Sequence, residues 1–483
     1  MRVGILTQYP SPAVLSGPAI HTRFLSDGLR RRGHGVTLMG PDTGTQAPVE
    51  GSSDFLFPAI GYPTHPNVKV AMPGGPSRLF TRRPPVDVIH GQGNCHMLHY
   101  GVWARKMWGI PFLNTHIIHL PTHSHFILSD KLYGNATVRA FLQARAHDVE
   151  RNFAQHIYNQ SDCFIVQSRY MVDYWRQRGV TTPIEVVGRP INPDIFSRRS
   201  EHDPFPAHFK AGRRLLVVCR HDREKSLDRL IDIFARHIAP RDPDATLTLV
   251  GDGHDHANLV RQAATTPVAA RIHFSGETSH KALVDWYAHA DLFVYTSVSE
   301  TFGNVVNEAL WCGLPAVCFD DGMGVAGQVV DRVNGALIPP NEPDSDARFG
   351  AATVALLGNR DLRRKLGGEA ANLARRTAHP DVVLGRFETI YKEAERHRRE
   401  TLPVPFVERS RAAQLAAFAR EYGSWAFGNG LLLGLANTAT RLGASRTTSA
   451  HQHVAAPVPT AASAGPAPAS PARTAETETS AVA

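Results

Sequence analysis

The sequence predicts an α/β protein built from two Rossmann-like domains, each a parallel, doubly wound sheet. Three observations predict it. The chain has 483 residues, too many for one ordinary domain. Short apolar runs alternate with helical patterns in two successive sets. Between the sets, Arg189–Lys210 carries Pro190, Pro193, Pro204 and Pro206, a linker composition.

In the first set, Val3–Leu6, Val36–Leu38, Val86–Ile89, Pro111–Thr115 and Cys163–Val166 read as buried strands. Ala19–Arg32 lies between the first two, with Ile20, Phe24, Leu25 and Leu29 near helical spacing and Gly33 as a stop. In the second set, Leu215–Cys219, Thr246–Val250, Ile272–Phe274, Leu292–Tyr295, Ala316–Phe319 and Ala336–Ile338 are the strand candidates. Helical patterns separate them at Ser226–His237, His280–Ala288, Asn304–Cys312 and Val325–Asp331. The chain thus divides into 1–200, 201–380, a closing helix over 381–400, a helical extension over 401–444 and a tail over 445–483. The tail is rich in Ala, Pro, Ser and Thr and reads as disordered. In the extension, Leu415, Phe418, Tyr422 and Trp425 fall near one helical face with Arg409, Arg411 and Arg420 nearby. That helix either lies on a membrane surface or packs on the protein's own body.

Composition narrows the class. Apolar residues make up 42% and charged residues 20%, as in a globular protein with packed cores. A net charge of +8 suits a protein that meets anions, whether nucleic acid, acidic membrane or phosphorylated substrate. No clustered basic, aromatic-lined face is visible, so nucleic acid is not an expected partner. The five cysteines form no Cys-x-x-Cys pair, which points away from a disulfide framework or zinc ribbon and towards a reducing cytoplasm. MRVGILTQYP runs straight into a strand pattern without the look of a secretory leader, and no apolar run reaches the ~18 residues of a membrane span.

The chemistry concentrates in Ser299–Val317, SETFGNVVNEALWCGLPAV. Glu300 and Glu308 are separated by seven residues, with the loop Thr301-Phe302-Gly303 between them, and Asn304 is a helix start. The unpaired N–H groups and the dipole of such a helix start make an anion site that a diphosphate fits. Gly303 permits close approach of the backbone. Glu308 has the acceptors for a ribose cis-diol, and Glu300 those for a sugar hydroxyl. An ordinary strand–loop–helix with two solvated glutamates is the plainer alternative for any such pair.

The whole string resembles the Glu-seven-Glu element of the retaining GT-B glycosyltransferases, family 4, including the Thr-Phe-Gly-Asn loop and the Glu-Ala-Leu-x-Cys-Gly-Leu-Pro continuation. The resemblance covers most of residues 1–398 and implies a GT-B architecture, two domains facing each other across a donor/acceptor cleft. Cys219–Lys225 resembles the family's Gly-Arg-x-x-x-x-Lys loop, whose cations neutralise the donor diphosphate; Arg220 and Lys225 are the matching positions. Cys219 replaces the usual glycine, and Ser226 a common glycine or asparagine. Leu249–Gly253 is similar to the next strand-to-loop turn, where Gly251 lines the nucleotide pocket or simply makes a tight turn. Ser16-Gly17-Pro18 stands where the family has a double glycine facing the donor; Pro18 costs it one N–H. His21 follows, facing the cleft or only decorating its helix.

The family often places a histidine near the sugar, after a strand such as the one ending at Asn114-Thr115. His116 is the first candidate and His119 the second. With His123 and His125 they make four histidines without a local carboxylate or cysteine, and the family chemistry needs no catalytic metal. No metal and no cofactor is therefore expected; the nucleotide sugar is a co-substrate. The resemblance implies a front-face reaction. The leaving diphosphate deprotonates the acceptor, Arg220 and Lys225 stabilise it, Glu300 positions the sugar and Glu308 holds the ribose. His116 contacts the sugar or steadies the developing positive charge.

The donor base is open between UDP, the first choice, and GDP. Arg78, Arg82, Arg83 and the basic stretch Arg139–Arg151 suit anionic lipid headgroups. Thr-Phe-Gly-Asn-Val-Val resembles members that glycosylate glycerolipids or phosphatidylinositol, so a lipid or cell-envelope glycan is the expected acceptor, reached from the inner membrane face. An NAD(P) oxidoreductase would carry Gly-x-Gly-x-x-Gly after strand one, and Thr7–Ala13 has no glycine. A sugar-nucleotide epimerase of similar form and a non-catalytic scaffold with a degenerate donor site remain the rival readings.

Overall fold

In the computed structural model, the described residues are 1–8, 17–42, 55–62, 65–72, 83–93, 95–117, 136–200, 202–401 and 410–441. The tail at 445–483 and the candidates His119, His123, His125, Arg78 and Arg82 lie outside them.

The first seven-stranded sheet is parallel, in the order β3-β2-β1-β6-β7-β8-β9. Its strands are β1 (Arg2–Thr7), β2 (Gly35–Pro41), β3 (Phe55–Phe57), β6 (Val88–Gln92), β7 (Phe112–Thr115), β8 (Cys163–Val166) and β9 (Ile184–Val186). Val3, Ile5 and Leu6 are wholly buried, as continuous apolar runs must be in a sheet covered on both faces. The third strand of the sequence reading begins two residues later than Val86, which is buried ahead of it. The edge strands β3 and β9 have three residues each, too few for a periodicity to show. A hairpin of β4 (Ala59–Tyr62) and β5 (His65–Ala71) also went unpredicted.

The helix Gly17–Arg31 buries Ala19, His21, Thr22, Leu25, Ser26 and Leu29, whereas Ile20 is half exposed. Its inward face is therefore partly polar, and reading it by apolar spacing put Ile20 on the wrong side.

The second sheet repeats the plan with six parallel strands, β12-β11-β10-β13-β14-β15. They are β10 (Arg213–Val218), β11 (Ala245–Val250), β12 (Ile272–Gly276), β13 (Leu292–Tyr295), β14 (Ala316–Phe319) and β15 (Gly335–Ile338). Each expected strand is present, two of them with unchanged ends and the others with ends moved by at most two residues. The expected helix Val325–Asp331 is instead a series of turns. The Asp321 carboxylate accepts from the N–H groups of Met323, Val325 and Ala326 at 2.9–3.0 Å and holds these turns together.

The linker is short but structured. Pro193–Phe196 is one helical turn capped by the Asn192 side chain, and Ile191 N–H donates to Ala378 at 2.9 Å. The closing helix Pro380–Thr401 then returns to the first sheet. Its Val383, Leu384, Phe387, Ile390 and Tyr391 share one core with Val3, Ile5, Leu25 and Leu29.

The last helix, Arg411–Arg441, packs on the protein's own body. Trp425 is fully buried against Phe57 and donates to the Ala71 carbonyl at 3.2 Å. Phe418 meets Trp103 edge-on, and the buried Glu421 pairs with His99 and Lys106. Leu415 faces outward, 68% exposed, and is not part of the buried stripe predicted for it. Among the described residues no helix is long and apolar enough to cross a membrane.

Candidate active site

In the second sheet the chain order reverses between β10 and β13. Loops leaving the carboxyl ends of two such strands diverge and open a crevice, the place where open α/β sheets bind ligands. The loop after β10 ends in the turn Arg223–Lys225, and the loop after β13 carries Ser297–Gly303. They meet in the crevice. Lys225 Nζ lies 2.5 Å from Glu300 Oε1, and Tyr295 OH and Ser297 Oγ each donate to that same oxygen at 2.8 Å.

Both side chains are nearly buried, 11% and 14% exposed. Burial would raise the Glu300 pKa, but the Lys225 charge and these hydrogen bonds lower it to about 2. Burial pulls Lys225 down, and Glu300 outweighs it to hold the ammonium above its ordinary value. The loop therefore keeps a fixed cation beside a fixed anion at neutral pH.

Beyond Glu300 the chain turns through Gly303, at φ 82°, into the helix Asn304–Trp311. Gly303 is the N-cap and has no side chain to cap with; Asn304, expected to start the helix, is its first full residue. Among the described residues the N–H groups of Asn304 and Val305 have no acceptor, so the helix start faces the crevice with its partial positive charge. One turn on, buried Glu308 is gripped at both oxygens, by His280 Nε2 at 3.1 Å and Tyr287 OH at 3.0 Å. The Glu308 hydrogen bond raises the His280 pKa against the lowering effect of burial. Each carboxylate oxygen has a second acceptor position left, the number that a cis-diol requires.

The other predicted residues are placed differently. Arg220, about half exposed, pairs with its neighbours Asp222 at 2.7 Å and Glu224 at 3.4 Å instead of joining the Lys225–Glu300 pair. Gly251, at φ 131°, backs onto that loop: a Cβ there would lie 2.0 Å from the Cys219 carbonyl oxygen. It serves the approach of two loops to each other. Phe302 is buried over Gly188, just ahead of the linker. Gly17 and Pro18 open the first helix of the other domain, where a missing N–H leaves no helical bond unmade. The His116 ring is fully buried, 4.8 Å edge-on from Trp175 and 6.3 Å from Phe164, within the aromatic core of the first sheet. Arg145 and Arg151, offered for lipid headgroups, both pair with Asp148.

Three features escaped the sequence reading. Arg189, three residues beyond the end of β9, is 9% exposed and reaches over the start of the helix Asn304–Trp311. Its guanidinium lies beside His21, whose ring is buried, has no hydrogen-bond partner and is lowered to about 3 by burial and then by Arg189. His21 thus faces the junction of the two domains and does not decorate a surface. Gln167, after β8, is buried with both amide atoms unpartnered, and the adjacent Ser168 Oγ donates to Met323 of the second domain at 2.6 Å. A polar residue just after the expected strand Cys163–Val166 was the available signal for Gln167 and Ser168, whereas Arg189 follows a strand too short to be read.

Comparison with known proteins agrees with this geometry. The model of Glycosyltransferase Family 4 matches residues 15–195, and that of Glycosyl transferases group 1 matches residues 199–372. An alpha-monoglucosyldiacylglycerol synthase of Streptococcus pneumoniae is 24% identical over 70% of this chain and 75% of its own. A GDP-mannose-dependent alpha-mannosyltransferase of Mycobacterium tuberculosis is 25% identical over 81% of this chain and 97% of its own. Among solved structures, Anabaena HepE in complex with UDP and glucose superposes with a TM-score of 0.58 at 17% identity, over 81% of this chain and all of that one. The two matched segments take in the second sheet, all of the first but β1, and the crevice residues Lys225, Glu300 and Glu308, and the chain belongs to the group 1 glycosyl transferases, enzymes of GT-B fold that use nucleotide-sugar donors.

Proposed function

We propose that the protein is a retaining hexosyltransferase. It takes the sugar from a UDP- or GDP-hexose and passes it to a hydroxyl of a membrane lipid or cell-envelope glycan. The observation that carries this is the Lys225–Glu300 pair beside an uncapped helix start, with Glu308 one turn further on. The diphosphate lies at the helix start, Lys225 supports it, Glu308 takes the ribose hydroxyls and Glu300 a sugar hydroxyl. Arg220 swings from Asp222 to the diphosphate when the donor arrives.

Retention by double displacement would need a carboxylate free to attack. Glu300 is a poor nucleophile while three donors hold one oxygen. A front-face reaction suits the site better: the sugar–phosphate bond breaks, the acceptor oxygen bonds to the anomeric carbon on the same face, and the departing diphosphate takes the acceptor proton. No metal or cofactor enters this scheme. In this scheme His116 acts on the developing positive charge through its backbone carbonyl, while its ring packs in the core. A lipid acceptor is favoured by one relative's name, that of a monoglucosyldiacylglycerol synthase, and UDP or GDP by the HepE complex and by the mannosyltransferase's name.

The test is nucleoside diphosphate release from UDP- and GDP-sugars, with and without bacterial lipid extract, by wild type, Glu308→Ala and Lys225→Ala. Release with one donor that grows with lipid and falls at least about 100-fold in both variants is the expected result. Release indifferent to lipid would move the acceptor to a soluble glycan. No release, or equal release from the variants, would return the epimerase and scaffold readings.

A further inference from the structure

We propose that Arg189, supplied by the linker between the domains, is a third cation for the donor and binds its diphosphate at the start of the helix Asn304–Trp311. This rests on the donor reading above and adds a residue to it. Arg189 is an expensive residue to keep here. Its side chain is buried, its Nε is buried without a hydrogen-bond partner, and burial lowers its pKa to about 10, which leaves it charged at neutral pH. Among the described residues no carboxylate lies within 4.0 Å of its nitrogens. Glu300 acts on it only at longer range and is already paired with Lys225. Among the described residues the guanidinium has one hydrogen bond, from Nη1 to Asn304 Oδ1, and it is long at 3.4 Å. A buried charge without a partner ordinarily costs several kcal/mol, so a structure that keeps one has a use for it.

The surroundings say what the use is. Arg189 Nη1 points at the first residue of a helix whose leading N–H groups are unpaired. A guanidinium and a helix start repel each other and are reconciled by an anion held by both. His21, the other neighbour, is neutral and brings no compensating charge. The position of Arg189 is also fixed. Asn307 Nδ2 donates to the Arg189 carbonyl at 3.1 Å, and Phe302 covers Gly188. The planar fork of arginine suits two phosphate oxygens at once. Because Arg189 belongs to the linker, the anion it binds also ties the linker to the donor helix.

The experiment uses the full chain and calorimetric titration with UDP, UMP, GDP and GMP, for wild type, Arg189→Met and Arg189→Lys, with ligand-free melting of each. In Arg189→Met the affinity for the diphosphate that wild type prefers should fall about 10- to 100-fold, and that for its monophosphate less than about threefold. Arg189→Lys should recover part of the loss. Ligand-free melting of Arg189→Met should match or exceed wild type, because the charge removed had no partner. Equal losses for mono- and diphosphate together with a lower melting temperature would make Arg189 a structural tie and overturn the proposal. Unchanged diphosphate affinity would also overturn it. If wild type binds neither diphosphate, the donor reading itself fails, and this assignment falls with it.

Discussion

Glu300 is held 14% exposed with an ammonium at 2.5 Å, and its stability effect follows from its titration. Its pKa is depressed from 4.5 to about 2 in the folded chain. Between those values the unfolded chain binds the extra proton, so stability rises with pH across that window. The contribution is complete above about pH 4.5 and lost as pH falls towards 2. Glu300→Gln should therefore destabilise the second domain by about 3 kcal/mol at neutral pH, mainly by leaving Lys225 charged and buried. Unfolding of both proteins between pH 2.5 and 6 tests it (pH range set by the shift). The gap must close on the acid side; a gap independent of pH would mean that the pair is not what Glu300 contributes.

Elements set the conformations that residues cannot choose for themselves. The helix Asn304–Trp311 is entered through a left-handed residue, and the Glu300–Glu308 spacing works only because Gly303 makes that turn. A Cβ at Gly303 would meet Val325 and Gln328 at ordinary contact distances of 3.4 and 3.6 Å, so the cost of Gly303→Ala is conformational, about 1–2 kcal/mol. Turning the first N–H groups off the crevice should also weaken nucleoside diphosphate binding about tenfold. Gly385, inside the closing helix with open space around it, is the control. Gly385→Ala should raise stability by about 0.5–1 kcal/mol and leave binding alone. Thermal melts and titrations of the two variants give the comparison, and equal behaviour would remove the special role of the turn.

Across the whole molecule, the two domains touch through loops that follow their strands, where catalysis by a two-domain enzyme needs them to. Ser168, after β8, bonds to Met323, and a Cβ on Gly327 would come within 2.4 Å of the Ser168 hydroxyl. Closure of such a cleft excludes water from the leaving group. Gly327→Val should hold the edges apart. Small-angle scattering should show a larger radius of gyration. Sugar transfer should fall about 100-fold, while nucleoside diphosphate affinity, carried by the second domain, stays within about threefold. Loss of affinity in step with transfer would place the damage in the donor loop instead.

Much of this was legible in the order of the residues. Apolar periodicity is a local property, so the six strands of the second sheet and most of the first could be read directly, and a carboxylate–loop–helix string as short as Ser299–Val317 carries its chemistry within itself. Glu308 could be named for the same reason, and Lys225 through the resemblance of Cys219–Lys225 to the family's loop. Other features were decided by packing. The edge strands Phe55–Phe57 and Ile184–Val186 are too short to carry a period and exist because a neighbouring strand pairs with them. Trp425 lies inside because Phe57 and the Ala71 carbonyl, more than 350 residues earlier, await it. The bond from Arg189 to Asn304 spans 115 residues and crosses between domains, so its meaning depends on which strand ends the fold brings together. Local pattern specifies the elements, because helix and strand each impose their own spacing on apolar residues. Partners distant in sequence are chosen only when the sheets are laid side by side, because burial and charge act through space.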